Sequence, residues 1–218
     1  MAYKTPGAAD GTVPAADQAR DGQNVRNVVL VGHTGAGKTT LVEALLVATQ
    51  TIHRAGRVED GTTVSDHDEA ELRQQRSVNL ALAPLTHQGV KVNLLDTPGY
   101  ADFVGDLRAG LRAADCALFV VSTAEPIDGS TRMLWAECAA VGMPRAVVLT
   151  KLDHARSDYA ATLAACQEAF GANVLPLYLP VVDSAGAATG VASRSPTRGV
   201  IGSGGFPAAA VRSRQACA

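Results

Sequence analysis

The chain is poor in aromatic residues (4%) and in charged ones (18%), and neither sign of charge dominates. Its 19 Lys and Arg against 21 Asp and Glu leave a formal net charge of −2. So small a balance gives no general attraction to nucleic acid: no DNA partner is expected, and any RNA contact has to be local. Long apolar runs are also missing. Hydrophobic residues make up 47% of the chain, but much of that is alanine, and no stretch nears the roughly 20 apolar residues of a spanning helix. No membrane partner is expected. The four cysteines form no C-x-x-C pair, and the five histidines do not cluster at ligand spacing. Both facts speak against a zinc site. Cys116, Cys138 and Cys166 fall in apolar strand or helix patterns, so they read as buried, reduced thiols and imply a cytoplasmic location. The N-terminus has Lys4 and Arg20 but no apolar signal core, and Asp10, Asp17 and Asp21 disfavour a transit peptide.

What is present divides the chain into three. Residues 1–24, rich in Ala, Gly, Asp and Gln, read as a disordered leader, and residues 184–218, with no acidic residue and little apolar periodicity, as a disordered tail. Between them, residues 25–183 alternate strands with helices. Apolar runs at Asn27–Val31, Leu80–Leu85, Val90–Leu95, Cys116–Val121 and Ala146–Leu149 predict strands. Helical periodicity predicts Thr39–Thr49, Asp102–Ala114, Ser130–Val141 and Ser157–Phe170, the last two stopped by glycine. Phe103, Leu107, Gly110 and Leu111 share one side of the second helix. His87-Gln-Gly89 is a hairpin-sized turn, giving one antiparallel pair. The continuous apolar strands predict a mainly parallel sheet with helices on both faces, an α/β fold. Residues 51–79 are too long and polar for an idle loop, with a surface helix around Asp68–Arg76 as one reading.

The chemistry begins at Gly32-His33-Thr34-Gly35-Ala36-Gly37-Lys38-Thr39, between a strand and a helix. This is the phosphate-loop pattern G-x-x-x-x-G-K-[ST], and Thr40 continues it. Glycines let the backbone wrap so that N–H groups and the helix N-terminus face phosphate oxygens. Lys38 is placed to reach the β- and γ-phosphates, and the Thr39 hydroxyl to hold Mg²⁺. A nucleoside triphosphate is the expected ligand. Asp96-Thr97-Pro98-Gly99 closes the strand Val90–Leu95, where a carboxylate can serve the Mg²⁺ and Gly99 can bring its N–H to the γ-phosphate. Thr150-Lys151-Leu152-Asp153 closes Ala146–Leu149. Its Asp153 can accept from guanine N1 and the 2-amino group, which adenine does not offer, while the Lys151 stem lies across the base. Three loops at the carboxyl ends of strands point to GTP or GDP with Mg²⁺.

With Ala124-Glu-Pro-Ile-Asp-Gly129 and Asp68–Asn79, these segments resemble the translational GTPases, and within them the elongation factor G-like proteins, over about Asn27–Val191. The resemblance implies a P-loop GTPase domain that acts with the ribosome, residues 51–79 as the first switch and 96–113 as the second. It implies that Asn79 stands where the family's switch threonine contacts the metal, so the metal set is Thr39, Asn79 and Asp96. Tyr100 takes the place of the water-positioning histidine, Gly35 that of an aspartate, and Thr150 that of the usual asparagine. Leu175–Pro180 reads as a sixth strand, yet resembles the start of a family insertion. A phenol is longer than imidazole and, with a pKa near 10, a poor proton acceptor. Binding with weak hydrolysis is therefore expected, with Lys38 and Tyr100 at the catalytic positions. A non-hydrolysing module, a truncated or frame-shifted inert fragment, and a ribosomal-protection GTPase of the tetracycline-resistance type remain open.

Overall fold

The computed structural model describes residues 22–57, 62–64, 80–98, 104–184, 188–193, 200–201 and 209–213. They fall into two compact units. The first runs to Cys116 apart from Gly35–Gly37, and the second comprises Gly35–Gly37 and the chain from Ala117.

In the first unit, strand β1 (Val25–Val31) leads to helix α1 (Lys38–Ala48), followed by β2 (Ala81–His87), β3 (Val90–Asp96) and α2 (Val104–Ala113). β2 and β3 form the expected hairpin, in register from Ala81 opposite Asp96 to His87 opposite Val90. Its turn residues Gln88 and Gly89 both have positive φ (50° and 80°), the two-residue geometry that matches strand twist. β3 also runs parallel to β1, with Leu30 opposite Asp96. Val29, Leu30 and Val31 are fully buried because apolar side chains meet them on both faces. α1 packs on β2 and β3, with Val42 and Leu46 among its buried side chains, and α2 packs on β1. Gly110 allows that second approach. A Cβ there would lie 3.3 Å from Val29 Cγ2 and 3.4 Å from Thr97 Cγ2.

In the second unit, β4 (Cys116–Ser122), α3 (Gly129–Ala140), β5 (Arg145–Thr150) and α4 (Tyr159–Phe170) follow one another. β4 and β5 are parallel, from Ala117 opposite Arg145 to Ser122 opposite Thr150. The few aromatic residues are concentrated here. Trp135 stacks on Phe170 at 4.4 Å, Phe119 meets Trp135 edge-on at 4.9 Å, and the indole N–H donates to Phe170 O at 2.9 Å. Arg145 covers the indole face at 4.7 Å. α4 starts at Tyr159 rather than at Ser157, because Asp158 caps it by accepting from Ala161 N–H at 2.9 Å.

Leu175–Pro180 is split. β6 (Val174–Pro176) joins the sheet of β4 and β5, while β7 (Tyr178–Val182) begins a separate three-stranded sheet with β8 (Ala188–Ser193) and β9 (Val200–Ile201). β10 (Ala209–Ser213) lies antiparallel between β5 and β6. The tail therefore differs from the disordered segment expected of its composition: three short strands occur among its described residues. Each contains a valine, and sheet pairing supplies the backbone partners that average polarity could not reveal. The leader up to residue 21, the helix expected around Asp68–Arg76, and Cys217 lie outside the described residues.

Candidate functional site

The first unit holds most of the groups read as phosphate-facing. Beyond buried Val31 the chain turns through the glycine loop, and Gly35 and Gly37 have φ of 81° and 89°. At Gly35 a Cβ would meet nothing within 4 Å, so backbone conformation rather than space favours glycine. Lys38 is 7% exposed, and its ammonium donates to Gly32 O at 2.7 Å and His33 O at 3.0 Å. The Lys38 ammonium is thus held at the start of α1 against the carbonyls of the loop's first two residues, the chemistry of a cation suited to an anion. Thr34 Oγ1 is buried without a hydrogen-bond partner among the described residues. A lost hydrogen bond at a buried hydroxyl costs free energy that a ligand oxygen can restore.

Asp96 is 1% exposed at the end of β3, and Thr39 Oγ1 donates to its Oδ2 at 2.7 Å. A hydroxyl and a carboxylate so paired are hard oxygen donors, the chemistry that Mg²⁺ selects. Thr97 Oγ1 donates to Leu30 O at 2.6 Å and so fixes the chain just beyond β3 to β1. Pro98 is buried beside it, and Thr40 is exposed. Asn79, Gly99 and Tyr100 lie outside the described residues.

The second unit holds the groups read as base-facing. Thr150 Oγ1 donates to Ala36 O at 2.7 Å, tying the end of β5 to the glycine loop. Gly37 faces the same threonine: a Cβ would lie 3.9 Å from it. Lys151 has φ of 57°, a strained backbone for a residue with a side chain. Its carbonyl and that of Thr150 each accept from Thr123 Oγ1 at 2.9 Å, and Ser157 Oγ lies 2.8 Å from the same hydroxyl. Lys151 Nζ is 3.2 Å from Glu125 Oε1. Asp153 is exposed, and no hydrogen bond holds its side chain among the described residues.

Sequence reasoning missed Thr123, Ser157 and Glu43. Thr123 is the first residue beyond the buried strand β4, one past the position that Asp96 and Thr150 occupy on theirs, and a polar residue at a strand's carboxyl end is the signal that could have found it. Glu43 was detectable as an acid on the apolar side of α1, next to Val42 and one turn from Leu46.

A glycine loop enclosing a lysine, entered from a strand and left by a helix, with a hydroxyl–carboxylate pair at the next strand end, defines an α/β P-loop nucleotide-binding domain. The chain belongs to the family described as "Elongation factor Tu GTP binding domain", which matches residues 23–205. It is 66% identical over 169 residues to an elongation factor G-like protein of Mycobacterium tuberculosis, covering 78% of this chain and 24% of that protein. Elongation factor G 2 of Streptomyces coelicolor is 33% identical over 185 residues, covering 85% of this chain and 27% of that protein. A crystal structure of a Thermus thermophilus protein superposes with a TM-score of 0.73 at 43% identity, over 79% of this chain and 26% of that one. The chain spans about a quarter of the length of these relatives. No helix among the described residues is long and apolar enough to cross a membrane.

Proposed function

We propose that this chain binds Mg²⁺-GDP and Mg²⁺-GTP as the nucleotide domain of an elongation factor G-type translation factor, and that it hydrolyses GTP slowly, with the ribosome as its partner. The observation that carries the reading is the buried Lys38 inside the loop, next in sequence to Thr39 and its hydrogen bond to Asp96. Lys38 and the loop N–H groups bind the β- and γ-phosphates, and the exposed carboxylate of Asp153 reads guanine. Thr39 and Asp96 would hold Mg²⁺, with Asn79 as a third oxygen donor from the first switch. When bound, the metal neutralises charge building up on the phosphates.

Slow turnover follows from Tyr100. Positioning and charge stabilisation do nearly all the work in phosphoryl transfer, and a tyrosine replaces the group that orients water. Saturating Mg²⁺-GDP, at about 1,000 times Kd, is expected to add about 4 kcal/mol of stability in a thermal-shift series. No shift with any guanine nucleotide would overturn the binding reading. Single-turnover hydrolysis is expected to be slow with and without ribosomes and to rise in Tyr100→His. Rapid ribosome-stimulated turnover by the native chain would contradict the assignment of Tyr100.

A further inference from the structure

We propose that Glu43 is a positioning residue for the first switch: a buried carboxylate that anchors the root of that segment to the helix carrying Lys38 and Thr39. The inference rests on the nucleotide-binding reading above and concerns a residue with no place in the phosphate or base contacts. Glu43 is 1% exposed on α1. Its Oε2 accepts from Gly56 N–H at 2.7 Å and its Oε1 from Val64 N–H at 2.6 Å. One side chain thus holds backbone 13 and 21 residues further along, with each oxygen on a different amide.

An ionised carboxylate has acceptors only, so it can serve both N–H groups at once; a neutral amide cannot. Bonds to a charged partner are also the strong ones. Just inside the two anchor points, Arg57 and Thr62 are bonded to each other. Arg57 N–H donates to Thr62 Oγ1 at 2.9 Å, and Thr62 N–H to Arg57 O at 3.2 Å. At Gly56 there is no room for a side chain: a Cβ would lie 2.3 Å from Thr62 O and 2.7 Å from Thr63 Cα. Thr63, between Thr62 and Val64, is itself buried.

This construction matters because of where it sits. α1 starts at the phosphate-binding Lys38 and the metal-binding Thr39, and Glu43 is one turn along it. The segment that leaves Val64 runs on to Asn79, the proposed metal contact. Switch segments of GTPases are ordered by the γ-phosphate and its metal, so fixing their root lowers the ordering cost that GTP, and not GDP, must meet. Glu43 therefore acts on the preference for the triphosphate rather than on nucleotide binding as such.

The test uses the full chain, Mg²⁺-GDP and the Mg²⁺ complex of a non-hydrolysable GTP analogue. In Glu43→Gln one anchored amide loses its acceptor and faces an NH₂ group. Affinity for GDP is expected to stay within about twofold, while affinity for the analogue falls about tenfold. Amide exchange at Gly56 and Val64 should accelerate while the amides of α1 keep their protection. Equal losses for both nucleotides with protection lost throughout would make Glu43 a plain core residue and overturn the proposal; so would no change. Should Glu43→Gln not fold, Gly56→Ala disturbs the same root without touching α1. The same split between nucleotides then supports the anchor, and equal affinities refute it. A native chain that binds neither nucleotide defeats the functional reading itself, whereas binding without the split defeats only this inference.

Discussion

At the residue scale, two of the positions expected to depart from the family's pattern, Gly35 and Thr150, have local physical readings. Gly35 stands in the left-handed region, where an aspartate is tolerated and a glycine is unstrained. Glycine there keeps the loop conformation unstrained and puts no carboxylate on its exposed side. Thr150 offers a single donor where an asparagine offers an amide, yet its hydroxyl reaches Ala36 O directly. Valine has nearly the same shape as threonine, so Thr150→Val isolates that bond. It is expected to cost about 1–2 kcal/mol in urea unfolding and to weaken GDP binding, because the loop loses its tie to β5. Unchanged GDP affinity would show that the bond is incidental. The strained Lys151 is held by the Thr123 hydroxyl on its carbonyl rather than by its ion pair with Glu125, which is over a third exposed and so contributes little.

At the scale of elements, the hairpin and the first helices were readable because their signals are local. Period, glycine placement and strand length fixed β1, the β2–β3 turn and α1 to within a residue or two. Helix α2 shows the limit of such reading. Gly110 falls on its predicted apolar side, but only packing reveals that β1 and Thr97 approach to within contact of a missing Cβ. Gly110→Ala gains about 1 kcal/mol of helix propensity and must displace Val29 Cγ2 by a few tenths of an ångström, so it should be close to neutral. Gly110→Leu has no such space and is expected to destabilise by about 1–3 kcal/mol. Equilibrium unfolding of the two variants checks the contrast, and equal stabilities would show that α2 shifts freely.

At the scale of the whole molecule, the buried thiols set an alkaline limit. Burial pushes the Cys166 thiol up from 9.0 to about 12, and burial likewise raises Cys138 and Cys116. Between those values the unfolded chain releases protons that the folded chain keeps, so stability falls as pH rises through about 9 toward 12. Denaturant midpoints measured across that range should decline, and alkylation of Cys166 at neutral pH should track unfolding. Labelling as fast as a free thiol would contradict the burial. The matched stretch is about a quarter of the relatives' length, so a ribosomal role is a property to test beside a protein of their full length.

The sequence by itself determined the strand–helix order, the phosphate loop and the places of Thr39 and Asp96 as oxygen donors, though not the bond that joins them. Each depends on neighbours in the chain: a glycine's φ, an apolar period, a residue at a strand end. Asn79 and Tyr100 were legible only as sequence positions. Tertiary structure alone decided that Glu43 reaches Gly56 and Val64, that Thr123 and Ser157 support the Lys151 backbone, and that Thr150 meets a carbonyl 114 residues away. It also decided that parts of a glycine-rich tail pair as strands. The reason is the same in each case. A buried polar group must find a partner, and which partner lies near is a property of the folded chain, not of the residues beside it.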